Sequence, residues 1–445
     1  MVSVMGGAVL MLTTLALGAL IFDRMTALAA GGLLLGSAGL FSFMHDGRPD
    51  MLYAALCSLM LLGFAKCAFA GPITTDNRFS WCLLAWVACA AAILTKGPQL
   101  PVFMILGLAL FLWRNEDTRW RSVTSLRPGL GIFLVVLLCA PWWWALGERL
   151  SALAVERSQL GGTLLMPSLA HLGELYYAWR PLQLLLPWLP LAALAAALAS
   201  RSRVTREGLG FLCSPLLVSA IALSFGRQYR YFYLLPLLGP MTLILARPLV
   251  SALPVQGPWP LTTRLAVGVQ CMLLLACAVW VVPARGELGP WIALVFVVGL
   301  LLSVVAARLV PGHKATRLIL VLAVLMTAVW FAAALTGRLW NEERYASHAL
   351  ARKAAHLVDS ETPLATLDIS PALYAYYADR DVPQLASIAQ LQAMLESTPG
   401  GTLGLVIPAS RVSSLEQLYA VKTVEGFSRG SDREMLVIIR QRSRP

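Results

Sequence analysis

Four polar clusters interrupt the otherwise apolar first 340 residues: His45-Asp46-Gly47-Arg48-Pro49-Asp50, Thr95-Lys96-Gly97-Pro98, the long segment from Gly147 to Pro181, and Gly226-Arg227-Gln228-Tyr229-Arg230-Tyr231. They offer carboxylates able to take up a proton (Asp46, Asp50) and cations able to hold an anion (Arg48, Lys96, Arg227, Arg230), with His171 between them. A charge near the centre of a bilayer costs about 2.5–3.5 kcal/mol on insertion scales, so ionisable groups gathered at the ends of apolar runs call for an explanation. Each also has a plain structural reading. Asp50 after Pro49 suits a helix N-terminus, where a carboxylate complements the dipole. Lys96 before Gly97-Pro98 can snorkel from a helix end, and Arg48 can anchor at the interface. Arg227 and Arg230, set among Tyr229, Tyr231 and Tyr233, also suit an interfacial belt, as does the run Trp142 to Trp144. Glu148 to Arg180 alternates apolar and polar residues and is expected to include a helix lying along the interface, with Glu156 and His171 on a solvated face.

The elements that position these clusters follow from composition. Hydrophobic residues make up 58% of the 445 positions and charged ones 13%, where a soluble chain averages about 25% charged. Apolar runs near the roughly 20 residues that span a bilayer fall at 4–22, 25–44, 51–70, 79–95, 98–113, 129–147, 181–200, 209–225, 231–249, 262–283, 288–308 and 317–336. This predicts an α-helical polytopic membrane protein of about twelve spans, with 79–95 and 98–113 the shortest. The run from Met1 to Phe22 lacks a basic leader and a small-residue cleavage site, so it reads as a span and not a signal peptide.

Residues 1–340 carry 24 Lys and Arg against 11 Asp and Glu, whereas residues 341–445 carry 11 against 12. The basic excess sits in short gaps between apolar runs, where it acts as a topology signal, and nucleic-acid binding is set aside. One side of the twelve-span arrangement collects fifteen basic residues and the other nine. The richer side is therefore cytoplasmic, and both chain ends face outward. The four polar clusters then open on one outer face. All eight cysteines lie in apolar runs and read as small buried hydrophobes; their spacing supports neither a disulfide framework nor a metal site.

Two domains are expected, a transmembrane one over 1–340 and a small soluble α/β one over 341–445. In the second, the pattern predicts helices near 341–358, 387–396 and 409–418, and strands near 363–368, 402–407 and 433–440. It carries no Gly-rich phosphate loop.

Arg48-Pro49-Asp50 opening a span, Leu94-Thr95-Lys96-Gly97-Pro98, Ala140-Pro141-Trp142-Trp143, and Arg230-Tyr231-Phe232-Tyr233-Leu234-Leu235-Pro236 occur in that order. Together they resemble the GT-C class of membrane glycosyltransferases, nearest the branch of the lipid A aminoarabinose transferase and the protein O-mannosyltransferases. The likeness covers about residues 1–250, and its most specific element is the Leu-Thr-Lys-Gly-Pro run. The resemblance implies a polyprenyl-phosphate sugar donor and a lipid or protein acceptor hydroxyl. It implies one inverting displacement on the outer side of a bacterial inner membrane; no cofactor is expected and no metal ligands are named, and the outward C-terminal domain would be periplasmic. On this reading Asp50 and Asp46 are the candidate bases, and Lys96, Arg227 and Arg230 the candidates for the donor phosphate. Arg48, Tyr229, Tyr231 and His171 are further substrate contacts. The family's first span and its first outer loop, which carries an acidic residue usually taken as the base, have no counterpart after Met1. That predicts a shortened copy or a role taken over by Asp50. A transporter or flippase for a lipid-linked or polar solute is the alternative from another class. Transporters commonly show two related halves, and no such repeat is evident here.

Overall fold

The structure, a computed structural model, describes residues 1–45, 48–69, 75–114, 121–152, 176–198, 203–225, 230–252, 258–281, 289–309, 313–335, 346–359, 362–429 and 432–440. Two compact units divide the chain, Met1–Ala332 and Ala333–Pro445. The helices of the apolar part are α1 (Val2–Ile21), α2 (Arg24–Leu35), α3 (Ala38–His45), α4 (Asp50–Ala68), α5 (Thr75–Lys96), α6 (Gln99–Arg114) and α7 (Pro128–Ala152). They continue with α8 (Tyr176–Trp179), α9 (Leu189–Ala197), α10 (Arg203–Ser224), α11 (Leu238–Ala252), α12 (Leu261–Val281), α13 (Gly289–Leu309) and α14 (Lys314–Leu335).

Among the described residues, eight helical stretches are long and apolar enough to cross a membrane, or nine if α2 and α3 form one bent span. About twelve were expected. The runs at 98–113 and 181–200 fall on α6 and α9, which are shorter, with 16 and 9 residues, and the run at 288–308 falls on α13, with 21. With 16 residues, α6 rises about 24 Å against a hydrocarbon core of about 30 Å.

The bend between α2 and α3 measures 56°. Backbone groups released at a bend cannot turn to water inside lipid, so they need partners from the protein. They have them. The Trp188 indole donates to Leu33 O at 2.7 Å and the Trp330 indole to Gly36 O at 2.9 Å. Ala38 N donates to Leu186 O at 2.8 Å.

The position of α4 is set by close backbone approach. A Cβ added to Gly6 of α1 would lie 2.9 Å from Met51 O, and one added to Gly63 of α4 would lie 2.8 Å from Ala85 Cβ on α5. Small residues are the usual means of bringing membrane helices together, because lipid supplies no hydrophobic drive for association. Thr13 and Ser58 hydroxyls, 2.6 Å apart, join α1 to α4, and Leu10, Leu34, Met51, Leu184, Leu235 and Leu238 fill the core beside them. Helices α12 and α13 instead present Met272, Leu275, Leu300 and Leu301 outward, as a lipid-facing surface would. Cys271 is exposed on α12, a correction to the reading of every cysteine as buried: it shares the outward face of its helix with Met272 and Leu275.

The second unit is a three-layer α/β module. It comprises α15 (Ala346–Leu357), β1 (Leu364–Leu367), α16 (Ala372–Ala378), β2 (Gln384–Leu385), α17 (Ile388–Ser397), β3 (Thr402–Pro408), α18 (Val412–Glu416), β4 (Ala420–Arg429) and β5 (Asp432–Arg440). The strand order is β2-β1-β3-β5-β4; β1 lies parallel to both β2 and β3, and β5 runs antiparallel to β3 and β4. Both faces of β1 and β3 are covered, which is why their apolar runs are nearly unbroken. Leu350 and Ala354 of α15 and Tyr374 of α16 pack on Leu364, Val406 and Leu436. On the other face, Leu391 and Leu395 of α17 and Leu415 of α18 pack on Leu367, Leu405 and Ile439. Three elements were not foreseen: α16, β2 and β4. With two residues β2 has no period to read, and the alternation in β4 is broken by a bulge between Thr423 and Glu425.

Candidate functional site

Three span ends meet in the first unit: the N-terminus of α4, the C-terminus of α5, and the 3-10 turn Tyr231–Leu237 that leads into α11. Asp50 is the first residue of α4 and Lys96 the last of α5, and their side chains form an ion pair. The helix dipoles favour this placement, since a carboxylate suits the positive N-terminus and an ammonium the negative C-terminus. Asp50 keeps 7% of its side chain exposed and Lys96 28%. A covered carboxylate needs its cation, while the Lys96 side chain stays partly open to solvent.

Aromatic rings complete the seat of Lys96. Its Nζ lies 5.0 Å from the centre of the Phe232 ring, 5.2 Å from Tyr233 and 5.8 Å from Tyr53. Ring faces attract a cation without neutralising it, each worth about 0.5–2 kcal/mol according to desolvation. The corner after Lys96 is held as well. Gly97 adopts φ +118°, a conformation that side-chain-bearing residues rarely adopt, and the Tyr53 hydroxyl donates to its carbonyl at 3.2 Å. Tyr53 thus both flanks the ammonium and ties α4 to the turn that carries it.

Arg230 immediately precedes the 3-10 turn. Its backbone N–H donates to the Tyr177 hydroxyl at 3.3 Å, and its side chain is exposed. Arg230 and Asp50 both lie within Coulombic reach of the Tyr233 hydroxyl. Tyr231 turns toward Phe43, with ring centres 6.4 Å apart. Arg48 is exposed just before α4, and its carbonyl accepts from Ser3 Oγ at 3.4 Å. Asp46, His171, Arg227 and Tyr229 lie outside the described residues. Among the described residues, no group of three or more His, Cys, Asp or Glu side chains is placed to share a metal ion.

No family model matches the chain and no curated protein matches its sequence. Solved structures do match. ArnT from Cupriavidus metallidurans in the apo state superposes with a TM-score of 0.70 at 16% identity, over 98% of this chain and 82% of that one. The same protein bound to undecaprenyl phosphate gives 0.70 at 17% identity, over 98% and 83%. The chain has the fold of ArnT. On this fold the Leu94–Pro98 and Arg230–Pro236 motifs supply the two sides of the seat around Lys96.

The GT-C reading of the sequence did not single out Tyr53, Phe232 or Tyr177. A usable signal existed for Tyr53, which follows Asp50 by one helical turn and so shares its face of α4. For Phe232 the only signal was its place inside the Arg230–Pro236 motif. The chemical capacity of the assembly is anion binding next to a carboxylate. Lys96 carries an ammonium on a side chain that stays 28% exposed, and Arg230 offers paired guanidinium donors of the kind that match phosphate oxygens.

Proposed function

We propose that this chain transfers a sugar from a polyprenyl-phosphate donor to a hydroxyl of a lipid or protein acceptor, at the outer face of a bacterial inner membrane. The observation that carries the reading is the seated lysine: Lys96 is held by Asp50 and three rings yet its side chain stays partly exposed, at a junction of span ends that also receives Arg230. The undecaprenyl phosphate bound to ArnT, which has the same fold, supports a ligand of that class.

In the proposed reaction the acceptor oxygen attacks the anomeric carbon on the face opposite the phosphate. The bond from that carbon to the phosphate oxygen breaks, its electron pair stays with the departing polyprenyl phosphate, and the configuration inverts. Negative charge grows on the leaving oxygen, so fixed cations there stabilise the transition state more than the ground state. Lys96 and Arg230 are assigned that work. Asp50 positions Lys96 with one carboxylate oxygen; the acceptor's proton is assigned to its other oxygen or to Asp46. Arg227, Arg48, Tyr229, Tyr231 and His171 are proposed as further contacts to the donor or acceptor.

The test is binding of a radiolabelled polyprenyl-phosphate sugar to the full chain in lipid nanodiscs. Lys96→Ala and Arg230→Ala are each expected to weaken binding at least about tenfold, in line with losing a charged hydrogen-bond partner. Binding unaltered by both substitutions would overturn the assignment. Solute uptake by reconstituted vesicles, without sugar transfer, would favour a transporter.

A further inference from the structure

The second unit contains a hollow that its sheet topology creates. At the carboxyl end of β1 the chain leaves for the face covered by α15 and α16, whereas the chains leaving β2 and β3 go to the opposite face as α17 and α18. On that opposite face, nothing follows β1 into the space between its neighbours. In open α/β sheets such a switch point is where ligands bind. Here it leaves a hollow of about 130 Å³, lined by Leu367 and Asp368 at the end of β1, Ser387 and Ile388 after β2, and Arg411 and Ser414 after β3. About 10–15 Å³ by this measure suffices for one water, so the space admits a ring-sized molecule.

The lining chemistry narrows the occupant. Asp368 Oδ2 accepts from Arg411 Nε at 3.1 Å and from Nη2 at 3.0 Å, and both side chains remain 40% or more exposed. Ser387 Oγ accepts from Gln390 N, which leaves its hydroxyl proton for a ligand; Ser414 Oγ donates to the Arg411 carbonyl, which leaves its lone pairs. The hollow therefore presents donors and acceptors side by side with no net charge. A phosphate would meet the Asp368 carboxylate and a metal ion the Arg411 guanidinium, whereas adjacent hydroxyl groups can use both. Leu367 and Ile388 supply an apolar floor for the C–H side of a ring.

We propose that this carboxyl-end crevice binds a neutral polyhydroxylated ligand, one sugar ring of a glycan, through Asp368 and Arg411. The inference does not depend on the reaction assigned to Lys96. Saturation-transfer NMR on the full chain in nanodiscs, with glucose, galactose, mannose and N-acetylglucosamine offered separately, tests it. At least one sugar is expected to show transfer to its ring protons. That signal should fall at least about fivefold, the scale of a lost hydrogen-bonding partner, in Asp368→Ala and Arg411→Ala. It should persist in Lys96→Ala, where donor binding fails, so that failure of either assignment is told from failure of the other. Should the alanine variants melt well below the wild-type chain, Asp368→Asn carries the same expectation. Absence of transfer with all four sugars, a signal that survives both substitutions, or displacement of the sugar by sulfate would overturn the proposal.

Discussion

Asp50 and Lys96 stand 46 positions apart in the chain and meet as one ion pair in the first unit. The pair has a stability consequence separate from any chemistry. Removing one partner of a buried pair costs roughly 3–5 kcal/mol, because the survivor keeps its desolvation penalty. Lys96 retains some contact with solvent, so Asp50→Asn should fall at or below the low end of that range in chemical denaturation. Asp50→Asn combined with Lys96→Met should recover most of the loss while leaving donor binding absent. If the double variant is no more stable than the sum of the singles, the two residues are not coupled and the seat is wrongly described. At this scale the sequence was partly legible. Arg48-Pro49-Asp50 and Leu94–Pro98 marked the positions, since a charge at a span end stands out against apolar neighbours. What no local pattern encodes is that one side chain neutralises the other, or that Phe232 comes from a third stretch to cover them.

Among the elements, the turn after α5 matters most for the site. Gly97 at φ +118° has open space around it, so a methyl group would clash with nothing and would still strain the backbone. Gly97→Ala should destabilise the protein by about 1–2 kcal/mol, the penalty for a side chain in a left-handed conformation. It should also weaken donor binding by shifting Lys96. Equal melting temperatures for Gly97→Ala and the wild-type chain would show that the corner tolerates another conformation. Helix existence was readable here and helix length was not. Each apolar run falls on a helical segment, yet the run at 181–200 is divided between the 3-10 turn Arg180–Leu185 and α9, which begins only at Leu189. In the second unit, β1, β3 and β5 were readable from β-branched and leucine-rich runs, whereas β4 was hidden by its bulge.

For the whole molecule, the excess of basic residues in one set of gaps predicts which side faces the cytoplasm. Alkaline phosphatase fused after Pro445 should be active in a bacterial host, and a green fluorescent protein fused there should be dark. The reverse result would place the second unit inside the cell and remove the outer-face reaction with it. Sharing a fold with ArnT at 16% identity shows how little of the sequence the fold fixes. The elbow between α2 and α3 has its own bearing on how the bundle can move. Because two indoles and a neighbouring strand of backbone occupy the groups released there, straightening it would strand several of them in oil at once. It is a welded joint, and any opening and closing of the bundle has to be sought in its other parts.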